Sequence, residues 1–561
     1  MGTIAKDNKE HKANKSRAQA LLDEYKQLKG ARSNFESYWQ TLHDYFYIEA
    51  QDVSTQSYPG TELNVDSLYD STTLEAADVL ASGFMNYLTP PTSKWFSLSA
   101  KNAALRDNKR VAKYLDEVRE QVNYTLNKSN FYNQVIANYK SSGVMGTSSM
   151  IEEEDIDDDV RFRSIPIKNV CLKEDFRGVV IGYFIEFEYT AVQAAEKFGR
   201  EALSSKIQEE LDCEVPKQNK HLFVLYISER HRRDIRKTDR KNLPIEAVWL
   251  DHDGKMTVDE GGYYEMPSMC HRFDKRPFIP WGFSPAMKAL PFARILNAAA
   301  KTNLRTMMKH ADPAVAIPDN AFLMPLNGNP RAVNYYDKSK MTGGRNDIFE
   351  FGNYGDPNVG LKAIEYYGDM VRSIMYNDTF LAFDRITKQM NNPEIMERIN
   401  EKMTLLGPAV GRYISEMLNP TIVRTIGVLS RKGKLPDPPD EFLMNPEYEI
   451  DLVSQLAQAQ RRSELQSLMN GLQLVGSMAE IDPSVLDKID RDEVVDTAWE
   501  IIGAPNRVLR EDDQVDEIRK SKAQQAQQQQ QMAMLQAGGD LVEKGSKVDL
   551  NLAKAQKETK E

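Results

Sequence analysis

An acidic run at residues 152–159 is the first part of the sequence whose residue types could do chemistry. Glu152 to Asp159 holds seven carboxylates in eight positions. Hard divalent cations bind carboxylate oxygens, so one interpretation of this run is a metal site. The other interpretation is a solvated hairpin tip, whose charges prevent edge-to-edge strand pairing. No glycine stands where an EF-hand loop requires one, and the sequence therefore favours the hairpin tip.

The remaining candidates for catalysis lack the spacing that their chemistry needs. Cys270 and His271 are adjacent, which is poor geometry for one tetrahedral zinc site, and the seven histidines contain no H-E-x-x-H pattern. The nearest approach to a phosphate-binding loop begins at Gly355, but Leu361 displaces the lysine and Pro357 lies inside the loop. The sequence therefore predicts neither an enzyme nor a bound metal ion or cofactor.

Composition predicts a soluble protein of several domains. The chain has 561 residues, of which 41% are hydrophobic and 28% are charged. It has no long apolar run and no apolar core near its first residue, which argues against a membrane span and a signal peptide. Its three cysteines are far apart and odd in number, which favours reduced thiols. The net charge of −11 argues against wrapping DNA, but it is compatible with a wall past which DNA slides.

The periodicity of apolar residues changes along the first half of the chain. Apolar stripes at helical spacing predict helices over residues 16–46, 64–88, 108–127 and 131–140. Alternating patterns predict strands over residues 162–167, 179–189, 222–228 and 245–250. Helices followed by a strand-rich module indicate an α+β fold.

A long helical pattern occupies residues 391–433, directly after a short aromatic and basic segment at 380–388. Asn392 can cap this helix, and Pro393 suits its first turn. Pro408 and Pro420 fall inside the pattern, so we expect the helix to kink or break twice. A basic loop beside a long kinked helix indicates a mechanical rather than a catalytic role.

The order of several short phrases resembles the head-to-tail connector, or portal, proteins of short-tailed bacteriophages. The phrases extend over almost the whole chain, and their order and spacing carry the resemblance. Two departures are visible: Trp281 stands where the family has Tyr, and Asn391 to Glu394 replaces a Thr-Ala-x-Glu start of the long helix. The matching phrases are Phe35 to Trp39, Val65 to Thr72, Leu80 to Gly83, Leu88 to Phe96, a glycine-bearing hairpin at Tyr139 to Thr147, Arg276 to Pro285, Ala289 to Asn297, Asp312 to Pro318 and Leu435 to Pro439.

The resemblance implies a mainly helical α+β fold with wing, stem, clip and crown regions, twelve copies of which close a ring. On that plan the wing covers residues 1–284, and two stem helices at 285–310 and 360–380 flank a clip at 311–359. A tunnel loop would follow at 381–392 and a long kinked wing helix with its linker at 393–449. The crown would occupy 450–519, and the Gln-rich segment 520–561 would form either a helical barrel or a disordered tail.

The resemblance also implies a function: a ring at one capsid vertex through which double-stranded DNA is packaged and ejected. Arg385 and Lys388 in the tunnel loop are predicted to contact phosphate, and Lys301, Arg305 and Lys309 are predicted to face the channel from the stem. The predicted partners are other copies, DNA, major capsid and scaffolding proteins, terminase and a tail adaptor, with no membrane. The expected location is the virion, and the host cytoplasm during assembly.

Two other classes of protein stay open at this point. A metal-dependent nucleic-acid enzyme would use the acidic run at 152–159, and metal-dependent cleavage would identify it. A structural capsid protein without a channel would assemble into shells or sheets, which electron microscopy distinguishes from discrete rings.

Overall fold

The computed structural model describes two compact units of this chain. The first unit is formed by residues 1–96, 120–435 and 452–455, and the second by 97–119, 436–451 and 456–561. Within the described ranges, every helix is too short or too polar to cross a bilayer. The residues described are 2–50, 53, 67–106, 108–213, 219–230, 236–237, 239–311, 315–316, 335, 337, 349–350, 356–381, 406–444, 446–452, 468–478, 494–495, 498, 515, 517–522, 524–525 and 528.

Helices dominate the described part of the chain, and their bounds agree with most of the helical patterns. In chain order they are α1 (Gly2–Phe46), α2 (Thr72–Leu88), α3 (Ala103–Arg106), α4 (Lys109–Lys128), α5 (Phe131–Met145), α6 (Ala191–Phe198), α7 (Ser205–Leu211), α8 (Pro285–Ala311), α9 (Pro357–Ile374), α10 (Asn419–Arg431) and α11 (Asp440–Leu443).

The strands form separate small antiparallel sheets. A five-stranded sheet has the order β4-β5-β6-β7-β8, a three-stranded sheet has the order β3-β2-β9, and β1 pairs with β12 and β10 with β11. The α+β fold expected from the sequence is confirmed. The strands are β1 (Phe96–Ala100), β2 (Thr147–Glu154), β3 (Val160–Ile165), β4 (Val170–Glu174), β5 (Val180–Thr190), β6 (Lys220–Glu229), β7 (Ile245–Asp251), β8 (Met256–Tyr263), β9 (Ser268–Arg272), β10 (Val315–Ala316), β11 (Phe349–Glu350) and β12 (Tyr448–Leu452).

The apolar stripe of α1 covers one face of the five-stranded sheet. Leu22 and Tyr25 of α1 are almost completely buried in a cluster with Phe184, Val224 and Val248 of the sheet. Every second residue of a strand points to the same face of the sheet, and residues three or four apart lie on the same face of α1. These two apolar faces pack against each other and form one layer. This layer buries the middle of α1, and Trp39 nearer its end packs on Trp281 instead.

Three predicted helix boundaries were wrong. The helix predicted over 16–46 begins at Gly2, because the backbone of α1 is helical beyond the start of its apolar stripe. The helix predicted from residue 64 begins at Thr72, because the Asp70 side chain accepts a hydrogen bond from the Thr72 amide at 2.8 Å. The helix predicted to end at 140 continues to Met145, so the expected glycine-bearing hairpin is a helix end instead. Gly146 ends that helix with φ +80°, and its amide donates to the Ser142 carbonyl.

The break expected at Pro420 does not occur, because the helix widens to a π turn just before this proline and then continues. The chain is helical from 406 to 431, with a single π turn at Ile414–Leu418 immediately before Pro420. The Asn419 amide donates to the Ile414 carbonyl, five residues back, so the helix continues although Pro420 has no amide hydrogen. Pro408 also lies within helical residues, and the predicted helix start at 391–405 falls outside the described residues.

The second unit has its own small core. Ala100, Val111, Leu115 and Phe442 are buried together. The Ser99 hydroxyl donates to the Asp451 carboxylate at 2.9 Å across the β1–β12 pair. Strand β12 therefore closes this unit against β1.

Candidate functional site

Helix α8 starts from a tightly fitted junction between two of the phrases that carry the resemblance. The Gly282 amide donates to Thr147 Oγ1 at 2.8 Å, and the Phe273 amide donates to the Gly146 carbonyl at 2.9 Å. A side chain on Gly282 would collide with the Gly146 carbonyl, so the two backbones approach as closely as glycine allows. Ser284 donates to the Val144 carbonyl and accepts from the Met287 amide, which fixes the start of α8.

Helices α8 and α9 form an antiparallel pair. A side chain on Gly360 of α9 would collide with the buried Asn303 of α8, so this glycine sets how closely the helices pack. Further along, the Tyr69 amide donates to Asn297 of α8 at 2.7 Å, and nearby Thr72 lies against Gly368 of α9. These two contacts define the register. The helix expected at 285–310 is confirmed as α8. The helix expected at 360–380 appears as α9 but ends at Ile374, and a turn at 375–376, with Tyr376 at φ +60°, separates it from helical residues 377–381.

The three predicted stem residues share one face of α8. Arg305 and Lys309 are exposed, and Lys301 is half-buried with its ammonium 4.9 Å from the centre of the Tyr69 ring. All three lie about 160–240° round the helix from Asn303, on the side away from α9. The structure therefore brings these predicted residues together on one surface.

Sequence reasoning missed a fourth member of this basic face. Arg294 is exposed and lies seven residues before Lys301, at about 180° from Asn303. The spacing of seven, four and four residues from Arg294 to Lys309 was the signal that could have found it. Helix α8 contains no Asp or Glu, so its basic face carries a positive potential in an acidic chain.

The predicted tunnel-loop residues Arg385 and Lys388 lie outside the described residues. The segment that leads into them is anchored: Phe380 is buried, its ring lies 5.5 Å from that of Phe84, and it fills the space left by Gly83. Residue 381, the first of the predicted loop, therefore follows a residue that packs against α2.

The helical segment at 406–431 is held against the three-stranded sheet by polar contacts. The backbone amide of Arg272 in β9 donates to the Glu416 carboxylate at 3.0 Å, and the Arg272 guanidinium donates to the same carboxylate. The guanidinium also contacts Glu174. Glu416 lies in the π turn, so this irregular turn places a carboxylate opposite the end of a strand. Tyr413 adds a hydrogen bond to the Asn138 side chain at 2.8 Å.

A buried histidine lies in the same layer. The Ser142 hydroxyl and His271 Nδ1 are 2.7 Å apart, and the His271 ring lies 4.5 Å from that of Tyr413. Burial lowers the pKa of His271 to about 3, so its imidazole is neutral at physiological pH. Ser142 and His271 are both buried, and the pair ties α5 to β9.

The acidic run forms a hairpin, as expected, but its first residue is not solvated. Glu152 is completely buried, accepts a hydrogen bond from Thr425 at 2.9 Å and offers its carbonyl to the Arg424 guanidinium. Burial raises the pKa of Glu152 to about 8, against the opposing effects of Arg424 and Thr425. The expectation of a fully solvated tip was therefore wrong at this position.

The last residue of the run is also committed to a structural contact. Asp159 binds the ammonium groups of Lys434, at 2.6 Å, and Lys432. Partial burial opposes ionisation, but these two lysines outweigh it and lower the pKa of Asp159. Across the part of the chain that the structure describes, no three His, Cys, Asp or Glu side chains are grouped closely enough to hold a metal ion.

The charged side chains in these contacts hold helices against sheets. The chain belongs to the family of bacteriophage head to tail connecting proteins, which it matches over residues 18–509. It is 30% identical to the portal protein of Salmonella phage epsilon15 over 92% of this chain and 93% of that protein. It is 29% identical to the probable portal protein of Bordetella phage BPP-1 over 96% and 97% of the two chains. The resemblance inferred from the sequence is confirmed, and the family is structural rather than catalytic.

Proposed function

We propose that the protein is a portal subunit that assembles into a ring at one vertex of a phage capsid. The observation that carries this proposal is similarity to two phage portal proteins over more than nine-tenths of the chain. Twelve copies would surround a channel for double-stranded DNA during packaging and ejection. The protein would act in the virion, after assembly in the host cytoplasm.

The regions would follow the order of the chain. Helices α8 and α9 would be the stem, and the five-stranded and three-stranded sheets with α1, α2 and α5 would be the wing. Residues 311–359 would form the clip, 381–392 the tunnel loop, 450–519 the crown and 520–561 a C-terminal barrel or tail. The close junction of Gly146 and Gly282 supports this arrangement, because it would transmit force between wing and stem without a flexible hinge.

DNA would be contacted through its backbone. The basic face of α8, with Lys301, Arg305 and Lys309, is directed away from α9 and would face the channel. Arg385 and Lys388 would contact phosphates from the tunnel loop. A few basic groups in a chain of charge −11 would centre the duplex without holding it, and phosphate contacts carry no sequence readout.

The protein would act as a docking platform rather than an enzyme. Major capsid and scaffolding proteins would contact the wing, and the terminase and later a tail adaptor would bind the clip. ATP hydrolysis would belong to the terminase. Connection of head and tail, which the family description states, supports capsid and tail partners.

Negative-stain electron microscopy with native mass measurement tests the proposal directly. We expect discrete rings with a central hole, and a mass near twelve times 63.9 kDa. Shells or sheets would instead identify a structural capsid protein without a channel. A monomer under every salt condition would overturn the ring, and metal-dependent DNA cleavage by that monomer would establish the enzymatic alternative.

A further inference from the structure

A basic loop joins strands β6 and β7 at one end of the five-stranded sheet. Residues 230–241 hold seven Lys or Arg and two Asp, a balance of +5 in a chain whose net charge is −11. The structure describes residues 230, 236–237 and 239–241 of this loop, and both Arg236 and Lys237 are exposed. The residues proposed above for the channel include none of these, so this concentration of positive charge calls for another role.

Hydrogen bonds hold the two ends of the basic loop together. The Arg230 amide donates to the Pro244 carbonyl at 2.9 Å, and the Arg230 guanidinium donates to the Leu243 carbonyl at 3.2 Å. The Asn242 side chain donates to the Lys237 carbonyl at 3.1 Å. The described residues of the loop therefore have a defined backbone that can position charged side chains.

Two glycines of β8 let the basic loop lie directly on this strand. A side chain on Gly261 would collide with the Arg240 side chain, and one on Gly262 would crowd the Arg240 carbonyl. Arg240 and Lys241 begin a short 3₁₀ turn that packs on β8, and both remain exposed. The close approach therefore fixes where these two cations lie.

Helix α1 adds a further cation to the same surface. Arg17 of α1 and Lys241 of the loop both contact the Glu260 carboxylate, so the two cations are neighbours. The side chains of Arg17, Arg240 and Lys241 are 41–70% exposed, whereas the three carboxylates that they bind are 14–35% exposed. The carboxylates lie beneath the cations, and the layer that meets solvent is therefore positive.

The chemistry of this surface fits the phosphates of a nucleic acid better than an acidic protein. Five of the seven basic residues in the loop are Arg, whose planar guanidinium matches a phosphate group with two hydrogen bonds. Among the described residues from 236 to 263, no large hydrophobic side chain is exposed. Protein interfaces are built around such apolar or aromatic anchors, whereas contacts with a phosphate backbone need only charge and hydrogen bonds.

Helix α1 separates this surface from the start of α8. Trp39 of α1 packs on Trp281, just before α8, whereas Arg17 lies beside the basic loop. At 1.5 Å per residue, these two positions of α1 are about 33 Å apart along the helix axis. The surface is therefore remote from the point where the proposed stem begins.

We propose that Arg17, Arg236, Lys237, Arg240 and Lys241 form a second DNA-binding surface, which contacts the backbone of double-stranded DNA outside the channel. This inference goes beyond the proposed function, in which DNA is contacted only within the ring, and it rests on that function for the position of the channel. Contacts with phosphates carry no sequence readout and release bound counterions. Binding should therefore be independent of sequence and weaken steeply as salt is added.

Closed-circular duplex DNA tests the surface, because a closed circle cannot be threaded through a closed ring. Assembled rings of the full-length chain would be mixed with a relaxed closed-circular plasmid, and binding would be measured by sedimentation from about 50 to 200 mM salt. We expect the wild-type rings to bind. A triple variant, Lys237→Gln with Arg240→Gln and Lys241→Gln, should bind about tenfold or more weakly, and its slope of log affinity against log salt should be shallower by about 2–3.

A matched control removes the same charges from other exposed positions. Lys101→Gln with Arg177→Gln and Lys206→Gln also replaces two Lys and one Arg, and it should bind closed-circular DNA as the wild type does. Lys237→Gln alone, at an exposed position, should make the salt slope shallower by about 1. This single variant keeps the test decisive if the triple variant does not fold.

The outcomes separate this surface from the ring itself. Rings that bind linear DNA but not closed circles would overturn the surface and leave the proposed channel standing. Equal binding by the triple variant, its control and the wild type would also overturn it, because the DNA would then be held elsewhere. A wild-type protein that forms no ring would overturn the proposed function, whereas weaker binding by the triple variant than by its control would still support the surface.

Discussion

Two helical segments of the first unit are held against sheets mainly by different contacts, although each has some of the other kind: Arg32 of α1 pairs with Glu186, and Met417 and Ile422 are buried in the second segment. Helix α1 packs on the five-stranded sheet through apolar side chains such as Leu22 and Tyr25. The segment at 406–431 is attached to the three-stranded sheet through Arg272, Glu416 and Glu152. Apolar contacts are non-directional, whereas a buried ion pair has a unique geometry and is costly when one partner is lost. The helical segment that follows the predicted tunnel loop is therefore fixed in position and register.

The largest effect should come from breaking the polar attachment. Arg272→Ala would leave Glu416 without its guanidinium partner, and we expect the free energy of unfolding to fall by about 3–5 kcal/mol. Denaturant unfolding at fixed protein concentration measures this loss. Arg177→Ala is the control, because the Arg177 side chain is 66% exposed and its pair with Asp175 should contribute about 1 kcal/mol or less. Equal losses in the two variants would contradict the distinction.

A substitution that creates a cavity between α1 and the five-stranded sheet tests the apolar attachment. Leu22→Ala should lower the free energy of unfolding by about 2–4 kcal/mol, because the fully packed cluster cannot collapse into the space. The loss should be the same at pH 6.5 and pH 8, since no titrating group is removed. Val192→Ala, at an exposed position, is the control and should change stability by about 0.5 kcal/mol or less.

The third-largest effect should be the pH dependence of the free energy of unfolding. It should come from the polar attachment of the 406–431 segment and not from the apolar attachment of α1. Burial raises the pKa of Glu152 to about 8 from its ordinary value of 4.5, so the folded state holds a proton that the unfolded state releases. The contribution of Glu152 to the free energy of unfolding is therefore complete below pH 4.5. It is lost as the pH rises from 4.5 to about 8, by up to about 1.4 kcal/mol per pH unit. His271, with its pKa lowered to about 3, acts oppositely: its effect is complete above pH 6.5 and is lost as pH falls.

Glu152→Gln isolates the carboxylate contribution. Between pH 6.5 and 8 only Glu152 of these two groups changes its proton balance, so the wild-type free energy of unfolding should fall there. The Gln variant keeps an acceptor for Thr425 and cannot ionise, so its profile should be flatter. Parallel profiles for the two proteins would show that Glu152 is ionised when folded.

The smallest effect on stability is expected at Arg385 and Lys388, in the predicted tunnel loop. Arg385→Ala with Lys388→Ala should leave ring yield unchanged and alter the free energy of unfolding by about 0.5 kcal/mol or less. DNA packaging or retention should nevertheless fall, because phosphate contacts are lost. Arg177→Ala with Lys206→Ala removes the same charge from other exposed sites and should package normally. Full genomes in the loop variant would remove Arg385 and Lys388 from the mechanism.

Local patterns predicted much of the fold, and they failed where distant residues intervene. The strand pattern at 179–189 and the helix pattern at 108–127 appear as β5 and α4 within one or two residues. The acidic run was correctly placed in a hairpin, but burial of Glu152 depends on Thr425 and Arg424, more than 270 positions away. For the candidate site, the resemblance selected Lys301, Arg305 and Lys309, and the structure places them on one face of α8.

The sequence by itself determined the family, the α+β class and the amphipathic elements, because these depend on local periodicity and on the order of short phrases. Only the tertiary structure decided which charged residues are buried and how α8 and α9 fit together. Burial of Glu152 and the close approach at Gly360 both require a partner from elsewhere in the chain. Such contacts are selected by packing and desolvation across long sequence separations, which no local pattern records.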